Sequence, residues 1–304
     1  MQDMNLPQLV ADFQSEEKCR AYLEALRWRD GVSCPRCASR KISRVLKRGQ
    51  FDCDSCRYQF SVTAGTIFHD SHLPLWKWLL ATYMMVGAKK GVSASQLKRT
   101  LVVSYKTAWY LCHRVRAAMK DANPKPLTGI VEVDETYVGG KARNTHGGRL
   151  AGGAKRIPDK TVVIGAIQRG GNIRLKVIPH ARQRWMTEFI KEATDPSAEV
   201  YTDDHRAYKD LPLRRAHKSV NHSAGEYVRA DVHPNTVEGV WSLFRRSIVG
   251  SYHQLSVKHM PAYLDEIAFR FNNRENPFLF RDTVMNLLKA KALPFKALVA
   301  STSE

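Results

Sequence analysis

Cys34-Pro-Arg-Cys37 and Cys53-Asp-Ser-Cys56 are two CxxC pairs with fifteen residues between them. No other feature constrains the fold so tightly, because four thiols at this spacing can converge on one tetrahedral point. Zn²⁺ accepts four thiolates in that geometry without redox chemistry, and the separation lies within the usual zinc-ribbon range. Paired cysteines in a chain with no evident secretion signal point to metal before disulfide. A four-thiolate site is closed to water and substrate, so Zn²⁺ bound by Cys34, Cys37, Cys53 and Cys56 is expected to be structural. It would stabilise a turn-rich module, residues 31–72, that lacks a core of its own. Cys19 and Cys112 stand apart and read as small buried hydrophobes.

The chain has 304 residues, a formal net charge of +19 and a pI near 9.8. That excess of Lys and Arg implies a polyanionic partner. A membrane surface would also attract it. Yet the most apolar stretch, Leu73–Ala88, is shorter than the roughly 20 residues of a span and carries Lys77. The N-terminus lacks a basic segment followed by an apolar run. Nucleic acid without membrane, and a cytoplasmic, nucleoid-associated location, are the expectation. Arg36, Arg40, Lys41, Arg44, Lys47 and Arg48, between or beside the knuckles, would let the ribbon meet DNA or a protein partner.

Five stretches separate by pattern. Residues 1–30 hold an amphipathic helix with Cys19, Tyr22, Leu23 and Leu26 at helical spacing, and residues 31–72 hold the ribbon. Residues 73–126 read as a helix-turn-helix-like region, in which Ser93 and Ser104 start two helices across a Val-Val-Ser turn. On the second helix Ala108, Leu111, Cys112, Val115 and Met119 form an apolar stripe. Lys106, Tyr110, His113 and Arg114 are thereby left facing outward, as a helix docked in a major groove requires. An ordinary helical hairpin with a solvated basic face would give the same pattern.

Residues 127–290 alternate strands and helices, and 291–304 form a tail. An apolar strand runs to Asp134. Thr161–Gln168 and Asn172–Pro179 form a hairpin, a helix spans Arg184–Thr194, and a strand spans Glu199–Thr202. His217–Val220 reads as an edge strand. From Asn235 to Ile248 the pattern is helical, with Val237, Val240, Trp241, Phe244 and Ile248 on one stripe. This is a layered α/β arrangement with the element order of the RNase H-like fold. Asp134 and Asp203 end strands, and Glu238 lies on the helix. Three acids gathered there would repel one another and raise their pKa values unless a divalent metal intervened. Glu135 adjoins Asp134 and Asp204 adjoins Asp203, and neighbours on a strand point to opposite faces.

The segments FDCDSCRYQFSVTAGTIF, VEVDETYVGGK, YTDDHRAY and HPNTVEGVWSLFRRSIVGSYHQLSVKHMPAYLDEIAFRFNNR resemble the zinc-ribbon-bearing DDE transposases of bacterial insertion sequences, a group related to Merlin elements. The resemblance covers roughly residues 10–280. It implies a multidomain α/β protein: a zinc ribbon, a helix-turn-helix-like region and an RNase H-like catalytic domain. It places the catalytic acids on Asp134, Asp203 and Glu238, holding two Mg²⁺ or Mn²⁺ ions. It also implies binding of terminal inverted repeats, cleavage of element ends and joining to target DNA by a homodimer or larger assembly. Arg245 and Arg246 join Lys106, Tyr110, His113 and Arg114 as expected DNA contacts. His253, Lys258, Arg270 and Arg274 would flank the DNA path, and the basic stretch 141–156 would meet phosphates. The competing readings are a non-catalytic zinc-ribbon DNA-binding protein and an RNase H-like nuclease without strand transfer.

Overall fold

The computed structural model describes residues 4–139, 160–203, 208, 216–220 and 235–300. The chain divides into two compact units, Met1–Lys120 with Asn273–Glu304, and Asp121–Asn272.

The first unit opens with α1 (Leu6–Asp12) and α2 (Glu16–Arg27). Asn5 and Ser15 each cap one through a side-chain oxygen, so the amphipathic stretch becomes two helices rather than one. β1 (Ile42–Val45), β2 (Gln50–Cys53) and β3 (Gln59–Phe60) form a small antiparallel sheet in that order. Phe51 faces Phe60 across it, and both rings pack on Trp28. Then come α3 (Leu75–Gly87), α4 (Ala94–Leu101) and α5 (Tyr105–Ala117). Ser93 accepts from the Gln96 N–H and Ser104 from the Thr107 N–H, each at 3.0 Å, as the capping pattern requires. Pro74 offers α3 no side-chain cap. Glu16 supplies one from outside the helix, accepting the Leu75 N–H at 3.0 Å. Between α4 and α5, Val102 adopts φ +50°, a strained left-handed conformation for a β-branched residue.

Two C-terminal helices, α9 (Leu279–Lys289) and α10 (Phe295–Val299), complete this unit. The sequence pattern extends the catalytic domain to residue 290, but α9 packs against α2 and α3. Phe280 draws it there, buried among the rings of Phe13, Tyr22 and Tyr83.

The second unit is built on a five-stranded sheet of β4 (Ile130–Val138), β5 (Thr161–Gln168), β6 (Ile173–Ile178), β7 (Glu199–Asp203) and β8 (His217–Val220). Its order is β6-β5-β4-β7-β8; β5 is antiparallel to both β6 and β4, and β7 and β8 run parallel to β4. With α6 (Gln183–Ala193) in the crossover, this is RNase H-like topology. The buried run Val162–Ile167 of β5 carries apolar side chains to both faces, as a doubly covered strand must. On one face Val131, Val133, Val162 and Ile164 pack with Met186, Phe189 and Ile190 of α6. On the other, Val163 and Ile167 meet α7 (Asn235–Ser247) through Val237, Val240, Trp241 and Phe244, and α8 (Met260–Asn272) through Leu264 and Ile267. Each such fully buried side chain contributes about 1.5–3 kcal/mol. The Asn272 amide closes the edge: its Oδ1 accepts the Ile173 N–H at 2.7 Å and its Nδ2 donates to the Ile173 carbonyl at 3.2 Å. Among the described residues, no helix is long and apolar enough to cross a membrane.

Candidate active site and cysteine centre

The two cysteine knuckles are built alike. Ala38 and Arg57, each four residues after the first cysteine of its pair, adopt φ near +60° (59° and 57°). Each N–H donates to the carbonyl of that first cysteine, Cys34 at 2.9 Å and Cys53 at 2.8 Å. The turns bring all four sulfurs within 4.8 Å of one another, the one such metal-competent cluster among the described residues. Cys34 and Cys56 Sγ lie 3.7 Å apart, and Cys37 and Cys53 Sγ 3.5 Å. A tetrahedron with Zn–S bonds of about 2.3 Å has edges of about 3.8 Å, so the donor set fits that ion. Burial works to raise the Cys53 thiol, but the N–H groups of Cys56 and Ser55 hold it down at about 7.

The acids of the second unit are sorted by the strand period. Odd residues of β4 face α6, and even residues face α7. Glu135 therefore turns to the α6 side, where its Oε2 accepts the Tyr208 hydroxyl at 2.8 Å. Tyr208 is 1% exposed. Burial, followed by the charge of Glu135, holds its phenol well above the ordinary value. Asp134 turns to the α7 side, where its Oδ2 accepts from the Trp241 indole Nε1 at 2.8 Å. Opposite Asp134 on β5 stands Gly165, and the Trp241 ring lies across it. A Cβ at Gly165 would come within 2.8 Å of that ring.

β4 and β7 are in register through Glu132 and Tyr201. Two residues beyond that last paired position on each strand come Asp134 and Asp203, near enough for the charge of Asp203 to act on Asp134. Burial first, then the charges of Glu135 and Asp203, push the Asp134 carboxyl up to about 7. An all-oxygen donor set of this kind suits a hard cation such as Mg²⁺ or Mn²⁺. Glu238 lies exposed on α7, one turn ahead of Trp241 and so on the adjoining helix surface. Asp134, Asp203 and Glu238 do not close to the 4.8 Å mutual distance reached by the cysteines. Asp204 and the basic stretch 141–156 lie outside the described residues.

A further acid lies beside these, one that the sequence pattern does not single out. Glu132, 0% exposed, sits two residues before Asp134 on the same face of β4. Its carboxylate accepts from the backbone N–H groups of Thr236 (2.9 Å) and Val237 (3.2 Å), from Thr236 Oγ1 (2.9 Å) and from Arg169 Nε (2.8 Å). The available signal was an acid inside a doubly covered strand, which must have partners.

The expected outward face of α5 is corrected in part. Lys106 is exposed, but His113 and Arg114 are buried. Arg114 donates to the carbonyls of Ile67 and His69, and its guanidinium lies over the rings of Trp78 and Tyr110. Tyr110 is half-buried against Phe295 and donates its hydroxyl to the Leu293 carbonyl. The cause is tertiary: α5 is the centre of its unit, wrapped by α3, α4, residues 67–69 and the C-terminal segment. Arg245 and Arg246 are exposed. Arg270, expected along a DNA path, is instead buried against Glu266.

Residues 126–272 match the ISXO2-like transposase domain, and residues 14–59 match the transposase zinc-ribbon domain. The chain is 35% identical over 252 residues to an uncharacterized protein in transposable element ISH50 of Halobacterium salinarum, covering 78% of this chain and 84% of that protein. It is 28% identical over 100 residues to an uncharacterized transposase-like protein of Haemophilus influenzae, covering 33% of this chain and 80% of that one. Among solved structures, a simian T-cell lymphotropic virus intasome in complex with PP2A regulatory subunit B56 gamma aligns over 72% of this chain and 74% of that one. The TM-score of that match is 0.33 at 12% identity.

Proposed function

The chain belongs to the zinc-ribbon-bearing, ISXO2-like DDE transposases of insertion sequences, and from that premise we propose that it binds its element's terminal inverted repeats, cleaves the ends and joins them to target DNA. The observation that carries this reading is the place of Asp134, bonded to Trp241 on the sheet face beneath the helix bearing Glu238 and within reach of the charge of Asp203. Asp134, Asp203 and Glu238 are its catalytic acids, and they would hold two Mg²⁺ or Mn²⁺ ions. Such ions, when bound, activate a water or a 3′-hydroxyl and stabilise the departing oxygen. The protein's own part is positional. Trp241 fixes one oxygen of Asp134, β7 ends in Asp203 near it, and α7 carries Glu238. Hydrolysis and strand transfer then differ only in the nucleophile.

Zn²⁺ on Cys34, Cys37, Cys53 and Cys56 keeps the ribbon folded and takes no part in the chemistry. Exposed Lys106, Arg245 and Arg246 are the DNA contacts retained from the sequence reading. Two ends must be held at once, so the working form is a homodimer or larger, acting on double-stranded DNA in the cytoplasm.

The test is cleavage of a duplex carrying the element end in Mg²⁺. Asp134→Ala and Glu238→Ala should each abolish cleavage and leave duplex binding intact. Full cleavage by either variant would refute the assignment of these acids. Cleavage by the unaltered chain with no joining to a second duplex would reduce it to a nuclease.

A further inference from the structure

Three consecutive α7-facing positions of β4 are each bonded to α7. Glu132 accepts from Thr236 and Val237, Asp134 from Trp241, and Thr136 Oγ1 accepts from Arg245 Nη2 at 3.2 Å. The spacings match. Two strand residues advance about 6.6 Å, and the four to five helix residues between successive rungs advance about 6–7.5 Å. Helix and strand therefore run in register, rung by rung.

We propose that Glu132 is a positioning residue for this reaction: it locks the first turn of α7 to β4 and so fixes where Glu238 stands relative to Asp134. The inference rests on the assignment of Asp134 and Glu238 made above. Glu132 is the strongest rung, because it is the one fully buried carboxylate in the ladder and it takes two consecutive N–H groups at the positive end of the helix. Arg169 holds it from the other side, ion-paired at 2.8 Å and stacked over Tyr201. Glu238 follows the capped Val237 directly, so any slip or fraying of that turn moves Glu238 first. Glu132 itself is enclosed by these donors and is not offered as a metal ligand.

The experiment uses the full-length, zinc-loaded chain with Glu132→Ala and Glu132→Gln, each checked for folding by circular dichroism at the assay temperature. Two quantities are read: cleavage rate of the end-bearing duplex at saturation, and Mn²⁺ affinity by calorimetry. Glu132→Ala should lower the rate by about 100-fold and weaken Mn²⁺ by roughly tenfold, with duplex affinity unchanged. Glu132→Gln keeps an acceptor for the helix, so it should recover part of both losses. Should Glu132→Ala not fold, Glu132→Gln carries the test, with a partial loss of rate and of Mn²⁺ affinity expected. A folded variant with unaltered rate and Mn²⁺ affinity would overturn the proposal, as would loss of rate in step with loss of folded fraction. Asp134→Ala runs alongside: if it cleaves normally, the acid assignment has failed rather than the role of Glu132. If the unaltered chain binds no Mn²⁺, both fall.

Discussion

Trp241 donates its indole N–H to Oδ2 of Asp134 at 2.8 Å while being 2% exposed itself. A core residue of α7 thus reaches across to the acid at the heart of the candidate site, and the packing of the layer and the geometry of the site become one arrangement. This bond lowers the Asp134 pKa against the burial and like charges that raise it. Trp241→Phe keeps most of the apolar volume and removes the donor. The variant should lose about 1.5–3 kcal/mol, the usual worth of a hydrogen bond to a charged group. Its Asp134 should hold a proton to higher pH, moving the rising limb of the cleavage profile upward. Urea denaturation and a pH–rate profile check both, and an unmoved profile would mean that the indole is only packing.

Gly165 is where that indole lies, and a Cβ there would meet ring atoms at 2.8 Å and Leu175 Cδ2 at 3.0 Å. The ring is not the loose end of a flexible chain, since it is enclosed in the core with Phe244 and Val240. Gly165→Ala should therefore cost about 1–3 kcal/mol by overpacking and push the indole off Asp134. Its thermal midpoint should fall, and its cleavage profile should shift in the same sense as that of Trp241→Phe. A midpoint equal to that of the unaltered chain would show that the ring can move aside freely.

What was legible in the sequence was local. The caps at Ser93 and Ser104, the strand–hairpin–helix order and the two knuckles are each written within a few residues, and the structure has them where their patterns put them. The choice of Asp134 over Glu135 for the α7 face follows from the strand period once α7 is known to cover that face. What was illegible depends on distant chain. Arg114 looks like a groove contact until Ile67 and His69 offer their carbonyls. Glu132 breaks an apolar strand without saying which partners it needs, and Arg169, Thr236 and Val237 come from distant chain. α9 reads as an extension of the catalytic domain because its apolar stripe does not say which surface it will cover.

The cysteine centre predicts a local failure. Cys53→Ser removes one thiolate from four, and structural zinc sites commonly hold about 10–16 kcal/mol of folding free energy, far beyond the aromatic packing of Phe51, Phe60 and Trp28. The variant should contain no stoichiometric zinc by atomic absorption and should lose the ordered ribbon. The unit Asp121–Asn272, with its own sheet and two cores, should keep its folded signature in amide exchange. Retained zinc at one ion per chain would contradict the four-sulfur centre.

Asp134 makes the metal-free fold sensitive to pH in a direction opposite to that of a salt-bridged acid. Its ordinary value is 3.8 and its folded value about 7, so between those limits the folded state holds a proton that the unfolded chain has released. By linkage, stability then falls as pH rises from about 4 to about 7, by up to about 1.4 kcal/mol per pH unit, and levels off above. Asp134→Asn keeps an acceptor for the Trp241 indole and removes the titration. In buffer free of Mg²⁺ and Mn²⁺, and without a chelator that would strip the cysteine centre, the Asn variant should match the unaltered chain near pH 4 and exceed it at pH 8. Added Mg²⁺ should close that gap from the other side, by supplying the counter-charge that burial and the neighbouring acids withhold. Urea titrations at pH 4.5, 6 and 8 separate the cases. If the two chains keep a constant difference across this range, Asp134 is not under electrostatic strain and has no electrostatic need of a cation.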